Sequence, residues 1–498
     1  MVDYYDGAGL ADAPPEHVVA LADRALLTES QKVVLVMVGL PARGKSFISG
    51  RLQAFLSWKG NRIRIFNAGQ ARRKQLDPSS PKGFRRLDSA ESAIVDPATP
   101  STPFSPAAPT PTQSEDARAD FYDPRNVEAA RKKEEIAMAT LAECIDWLTA
   151  DGDIAIFDAT NTTAVRRRAV SERVISAGLR AVFIESLCDD KVILEKNMRD
   201  KVRSSPDFKG VNEDTALAQI MERAAHYESI YEAVGDEEGS YIKMYNLSSK
   251  VTANSIFGRM AKSVLPFMMA IHIGDRPVYL LALTPRSNEK DFGRRRSVSE
   301  PAASMESLSM DDEFIDKICD WAAKRHGKGQ RRLKVLASTQ PAAIKAANRV
   351  AEAIGGTPRH LSGLNPLDRG SGFNPAKADD DDRSMALNQR FAGGGESYAD
   401  LVGRLESCLL DIEASMNPVL VISHVGPCRA LRAYFLCCDV ALTMRAATSE
   451  GAAALANRAE CIVELRPKVG GRWLEHIHDL SEQADGNNEG YPVKNPAT

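Results

Sequence analysis

Residues 39–46 read Gly39-Leu40-Pro41-Ala42-Arg43-Gly44-Lys45-Ser46, which satisfies G-x-x-x-x-G-K-[ST] in full. The chemistry this spacing serves is the holding of a nucleotide's phosphates. Backbone N–H groups of such a loop and the N-terminus of the helix after it cradle phosphate oxygens. Lys45 then reaches the β- and γ-phosphates, and the Ser46 hydroxyl is a ligand for Mg²⁺. The second group this chemistry needs is a carboxylate at the end of a neighbouring strand. Asp158, closing Ile154-Ala155-Ile156-Phe157-Asp158, fits that need. It could position the metal or its waters, or assist deprotonation of an acceptor hydroxyl. The bland alternative is a helix N-cap. Thr160 and Asn161 follow on what reads as an exposed polar tip facing the ligand crevice.

Cations bracket this core. Arg72 and Arg73 follow a second short strand, Arg166 lies just beyond Asp158, and Arg223 and Tyr227 stand four residues apart. That last spacing puts both on one helix face. Arginine forks suit the phosphate of a phosphorylated acceptor. Singly each is an ordinary surface residue; together they surround the nucleotide loop.

The elements that must position these groups alternate between strand and helix. The apolar run 33–38 enters the loop as a buried strand, and 47–58 has helical periodicity. A strand at 62–66, a helix at 126–148, the strand ending at Asp158, helix 164–178, strand 180–185 and helices 189–201 and 212–231 follow. This order predicts a parallel sheet covered by helices. A second α/β unit is expected from about residue 271, with strands at 277–283, 334–337 and 419–423 and helices at 313–325, 341–353, 397–412 and 427–436. The predicted divisions are an extension at 1–30, a first domain at 31–260, a second at 271–480 and a tail at 481–498. Pro, Ser and Thr dominate 77–120, and 293–312 is serine-rich; both read as insertions without a packed core.

The chain has 498 residues, enough for two or three cores. With 64 Lys plus Arg against 67 Asp plus Glu, its formal net charge of −3 gives no reason to expect nucleic acid as a bulk partner. The eight cysteines form no C-x-x-C pair, so a zinc site or redox dithiol is not indicated and a reducing compartment fits. Residues 1–17 lack the apolar segment of a signal peptide, and no apolar run reaches 18 residues. The expectation is a cytoplasmic protein with no membrane partner.

Six strings resemble the bifunctional 6-phosphofructo-2-kinase/fructose-2,6-bisphosphatase family: GLPARGKS at 39–46, FNAGQARR at 66–73, FDATNTTAVRR at 157–167, FIESLCDD at 183–190, SSPDFKG at 204–210 and RAAHYESIY at 223–231. The resemblance implies a P-loop kinase domain followed by a histidine-phosphatase-like domain. It also implies MgATP-dependent phosphorylation of the C2 hydroxyl of fructose 6-phosphate. By the match, Lys45, Ser46 and Asp158 belong to the ATP–Mg²⁺ chemistry. Arg72 or Arg73, Thr160, Arg166, Arg223 and Tyr227 hold the sugar phosphate. Asn197 and Lys201 approach the nucleotide and the transferred group. The chain departs from the family at Ala71, where a tyrosine is common. A further family arginine has only Arg131, Lys132 and Lys133 near its place.

The second half resembles the family in RPVYLLALTPRSNE at 276–289, GGGESYADLVGRLE at 393–406 and VLVISHVGPCRALRAYFL at 419–436. The family opens this domain with Arg-His-Gly, whose histidine becomes phosphohistidine. Here Ala282, Leu283 and Thr284 stand in its place. Leucine has no lone pair to form that intermediate. Ala342 falls near a pocket arginine, and Pro366 stands where the acid is expected. His424 remains. A second Arg-His-Gly at 325–327 ends a helix rather than a strand, where basic residues suit the helix terminus. The expectation is a kinase with a dead or very weak phosphatase. Arg294-Arg295-Arg296-Ser297 would suit a regulatory basophilic protein kinase, with Ser297 as acceptor. Self-association or shielding of the kinase is a further role open to the second half. The alternatives are a fully bifunctional enzyme, a P-loop kinase of another sugar phosphate, and a non-enzymatic scaffold.

Overall fold

A computed structural model describes residues 32–76, 125–247, 250–272, 274, 276–283, 312–327, 332–371, 385–445, 460–468 and 473–480. The predicted extension at 1–30, both insertions, Thr284, Ser297 and the tail at 481–498 lie outside the described residues.

The first sheet is built around β1 (Val33–Val38), whose six apolar residues are all buried. A strand buried on both faces belongs at the centre of a parallel sheet, and β1 does lie between two parallel neighbours. The glycine-rich loop leads into α1 (Lys45–Trp58). Then come β2 (Ile63–Asn67), α2 (Ala68–Leu76), α3 (Val127–Ala150), β3 (Ile154–Asp158), α4 (Ala164–Ser176), β4 (Arg180–Leu187), α5 (Lys191–Ser204) and α6 (Glu213–Glu228). Side-chain caps fix several helix starts: Asn126 for α3, Thr163 for α4, Asp190 for α5 and Asn212 for α6. The sheet closes with β5 (Tyr241–Tyr245) and β6 (Lys250–Asn254), giving the order β2-β3-β1-β4-β5-β6. Every pairing is parallel except β5 with β6.

After α7 (Leu265–Ala270), the second sheet begins with β7 (Val278–Leu283). Its other elements are α8 (Asp312–His326), β8 (Lys334–Ala337), α9 (Pro341–Ala353), β9 (Arg359–His360), α10 (Tyr398–Glu413), β10 (Val419–His424), α11 (Val425–Leu436), α12 (Val440–Arg445), β11 (Cys461–Pro467) and β12 (Trp473–Asp479). The order is β12-β11-β7-β10-β8-β9, parallel from β7 to β9 and antiparallel at β11 and β12. The molecule thus holds two mostly parallel α/β sheets, as the strand–helix alternation predicts.

Five strands are absent from the sequence-based expectations: β5, β6, β9, β11 and β12. In β11 the reason is Glu464, a fully buried carboxylate that interrupts an apolar run. It accepts from His478 at 2.6 Å and Arg325 at 3.3 Å, partners that only the folded sheet supplies. Burial favours the neutral acid, but hydrogen bonds from His478 and Arg466 and the charge of Arg325 hold the Glu464 pKa down at about 2.

One hydrophobic core runs from the first sheet into the second. Phe55 of α1 stacks on Phe267 of α7, with centroids 4.1 Å apart and planes at 4°. Trp58 meets Tyr434 of α11 edge-on at 6.0 Å, and its indole N–H donates to the Ala430 carbonyl at 2.8 Å. Lys59 reaches Glu406 of α10 at 2.6 Å. The helix that carries the phosphate loop is therefore packed directly against the second domain.

Candidate active site

The loop after β1 has the backbone that its sequence demands. Gly39 has φ +136, and a Cβ there would come within 2.6 Å of the Ser186 carbonyl oxygen. Gly44 has φ +89 and is the N-cap of α1. Only glycine adopts such angles without strain and lets a backbone approach so closely. The Gly39 N–H donates to Thr160 O at 3.0 Å, tying the loop to the segment after β3. Asn197 of α5 donates to Ala42 O at 3.1 Å.

Lys45 is buried at the base of this loop, its ammonium donating to Leu40 O at 2.6 Å. Burial pulls its pKa down to about 8; Asp158 opposes the shift, while Lys201 and Arg43 add to it. An ammonium so placed gains from a phosphate nearby. The Ser46 hydroxyl donates to Asp158 Oδ2 at 3.0 Å, and Asn67 donates to the same oxygen at 2.6 Å. Asp158 does not cap α4, since Thr163 does. A hydroxyl and a carboxylate side by side at the foot of a phosphate loop are hard oxygen donors of the kind Mg²⁺ takes, so these residues fit a magnesium–nucleotide. Among the described residues no cluster of three or more His, Cys, Asp or Glu could hold a metal without such a ligand.

The loop opens on a cleft of about 950 Å³. Its walls bring together Lys45, Asp158, Thr160, Arg166, Asn197, Lys201, Arg72, Arg73, Arg223 and Tyr227. Three of the arginines converge on Asp207, which lies in SSPDFKG at 204–210 and to which the sequence alone assigns no role. Arg72 lies 2.9 Å from its Oδ2, Arg223 3.4 Å from the same oxygen and Arg73 3.5 Å from Oδ1. These charges hold the Asp207 carboxyl below its usual pKa despite burial. Arg166 pairs with Glu134 on α3. Of the three basic residues near the missing family arginine, Lys133 lines the cleft and sits 5.8 Å over the Tyr227 ring. Arg131 is turned to solvent beside Glu135. One expectation is corrected. Asn161 is not on an exposed tip: it is only 2% exposed, with φ +44, and donates to Met37 O at 2.8 Å. Its side chain braces the end of β1, satisfying a buried carbonyl.

The corresponding edge of the second sheet is different. His424 ends β10 and lies in register beside Leu283, which ends β7. Leu283 is 5% exposed and packs in a hydrophobic cluster with Ala342 at its margin. The polar neighbour of His424 is Ser338, whose hydroxyl oxygen lies 3.2 Å from Nε2. Burial, with Arg404 adding to it, brings the His424 pKa to about 4, so the ring is neutral at pH 7. The Arg404 guanidinium is engaged with Glu396 and with the carbonyls of Gly363, Asn365 and Pro366. The second Arg-His-Gly lies elsewhere. Arg325 donates to the Tyr279 hydroxyl at 3.3 Å, and the His326 ring packs on Tyr279 and Trp321.

A profile described as 6-phosphofructo-2-kinase matches residues 23–98 and 110–275. One for the histidine phosphatase superfamily (branch 1) matches 321–457. A Caenorhabditis elegans 6-phosphofructo-2-kinase/fructose-2,6-bisphosphatase is 30% identical over 81% of this chain and 81% of its own length. The chain belongs to the 6-phosphofructo-2-kinase/fructose-2,6-bisphosphatase family. An Arabidopsis thaliana relative of the same name is 29% identical over 84% of this chain. Saccharomyces cerevisiae 6-phosphofructo-2-kinase 1 is 28% identical over 81% of it. The chain spans about half the length of these last two, 51% and 48%. The kinase profile accounts for the first sheet, and the phosphatase profile spans β8, β9 and β10 of the second, with His424.

Proposed function

We propose that the chain transfers the γ-phosphoryl group of ATP to the C2 hydroxyl of fructose 6-phosphate, giving fructose 2,6-bisphosphate, with little or no hydrolysis of that product. The observation that carries the proposal is a contrast: Lys45, Ser46 and Asp158 meet an arginine-lined cleft, whereas His424 faces Leu283 where a second nucleophile would stand.

Gly39 to Ser46 would bind the phosphates of ATP, with Asn197 holding the loop backbone. Ser46 and Asp158 would hold Mg²⁺, which neutralises phosphate charge when bound. The sugar phosphate would be taken by Arg72, Arg73 and Arg223, already gathered around Asp207, with Thr160, Arg166 and Tyr227 on the surrounding wall. In the transfer the C2 oxygen bonds to the γ-phosphorus as the bond to the β–γ bridging oxygen breaks. Asp158 is the candidate to accept the hydroxyl proton. Lys45 and Lys201 offset charge on the transferring group, which is where this chemistry gains most of its rate.

No helix among the described residues is long and apolar enough to cross a membrane, and all eight cysteines are free thiols. Both suit a cytoplasmic enzyme acting on a small phosphorylated sugar. The test is a panel of sugar phosphates with ATP, comparing wild type and Lys45→Ala. Fructose 6-phosphate should be the preferred acceptor, with turnover lost in the variant. Preference for another acceptor, or undiminished turnover in Lys45→Ala, would reject the assignment.

A further inference from the structure

The cleft does not end at the kinase residues. Its far wall is formed by Arg51 of α1, by His272 and Arg276 from the segment between the sheets, and by Glu413, Lys468 and Trp473 of the second domain. This wall is rich in positive charge. Arg51 and Arg276 are 5% and 3% exposed, and both pair with one carboxylate, Glu413. Lys468 stands exposed at the rim. Two arginines thus share a single glutamate, with a lysine at the rim of the same wall.

Arg276 is the incompletely satisfied member. Its Nη2 donates to the Glu413 main-chain carbonyl at 2.8 Å, but its Nε and Nη1 are buried without a hydrogen-bond partner. Buried guanidinium donors are normally satisfied, and these two belong to a side chain that lines an open cleft, where a bound anion would meet them. Arg51 is held differently, against Glu413 and over the rings of Tyr434 and Trp473 at 5.3 and 5.5 Å. Neither arginine belongs to the proposed transfer machinery.

We propose that this junction is a second anion site, built jointly by the two domains, for a small phosphate-bearing metabolite. The phosphate supplies the acceptors that Arg276 lacks and the negative charge the wall lacks, with Lys468 at the rim. Because Arg51 lies in the helix that starts at Lys45, a ligand there bears on the element carrying the phosphate loop. This gives the catalytically silent second domain a function as half of a binding site.

The probe is radiolabelled inorganic phosphate, titrated into the full-length chain saturated with magnesium and β,γ-imido-ATP. Binding is read without turnover, so it stands whether or not fructose 6-phosphate is the acceptor. Arg276→Met is expected to weaken one class of phosphate site at least tenfold. Arg72→Ala removes binding in the sugar-phosphate end of the cleft and should leave the junction class intact. Glu413→Gln removes the competing charge but keeps the main-chain carbonyl that holds Arg276 and the rings that hold Arg51. Unlike that of a carboxylate that alone gathers its arginines, its loss should therefore tighten the junction class, a change opposite to that of simple misfolding. The proposal is overturned if all phosphate binding disappears in Arg72→Ala, or if Arg276→Met binds as wild type does. It is also overturned if Glu413→Gln fails to tighten binding.

Discussion

The two sheets present the same kind of edge and furnish it with opposite kinds of side chain. In the first, β1 and β3 end at a loop and a carboxylate that face an open cleft, with Lys45, Asp158 and the Asp207 arginines gathered there. In the second, the parallel strands β7 and β10 end side by side at Leu283 and His424, and apolar packing takes the place of charge. Strand topology alone therefore does not make an active site; the side chains at the strand ends do. One edge keeps charged groups that are buried yet partnered. The other keeps a neutral histidine and a serine.

Substitutions that break this contrast rank by how central the group is. Lys45→Ala should reduce turnover by about 10² to 10³-fold or more, the scale of losing one preorganised charge at a transferring group. Steady-state rates at saturating ATP check this, and folding should be unaffected by thermal melt. Trp58→Ala should cost about 3–5 kcal/mol of stability, since it empties an aromatic core shared by both domains and strips the Ala430 carbonyl of its donor. Denaturant unfolding reads that loss. A variant as stable as wild type would mean the domains do not depend on one another.

Asp207→Asn tests the arginine cluster. It should raise the KM for the sugar phosphate by about tenfold, an effect near 1.4 kcal/mol, with the KM for ATP little changed. Equal changes in both would show that Asp207 supports the cleft generally rather than aiming Arg72 and Arg223. In the second sheet, Leu283→His alone should not create measurable bisphosphatase activity, because the guanidinium of Arg404 is engaged elsewhere and the residue at 366 is proline. Phosphate release from fructose 2,6-bisphosphate reads this directly.

The smallest effect is on protons. Burial lowers the Lys45 pKa from 10.5 to about 8, and a bound nucleotide phosphate raises it again. Near pH 8 the free enzyme then carries about half a proton on Lys45 that becomes nearly a whole one in the complex. ATP binding should therefore take up protons between pH 8 and 10.5, and the uptake should vanish in Lys45→Met. Calorimetry in buffers of different ionisation enthalpy reads its sign. By the same linkage, Lys45 contributes a term that makes the free protein more stable as pH rises from 8 to 10.5, because its native state binds fewer protons than the unfolded chain.

Much of the first edge was legible in the sequence because its signals are local. Gly39 to Ser46 specify a backbone, and the apolar run before them specifies a central strand. Asp158 could be read from its place after Ile154 to Phe157. What was not legible depends on long-range partners. Asp207 sits more than 130 residues from Arg72, and nothing in its neighbourhood marks it as the hub of three arginines. Asn161 reads as a surface residue because its partner, Met37 O, belongs to a distant strand. Of the second edge, Leu283 and His424 were visible as single residues, but their pairing across β7 and β10 and the contact with Ser338 needed the fold. The strand β11 is hidden because Glu464 breaks its apolar pattern, and β12 because Glu475, His476 and His478 break its own.

The measurement that bears most directly on the proposal of one working edge follows a single label. The purified full-length chain is given γ-labelled ATP and fructose 6-phosphate, and the label is tracked over many turnovers. Label accumulating in fructose 2,6-bisphosphate and remaining there is the expected result. Label passing on to inorganic phosphate at a comparable rate, or never entering the sugar, would contradict it.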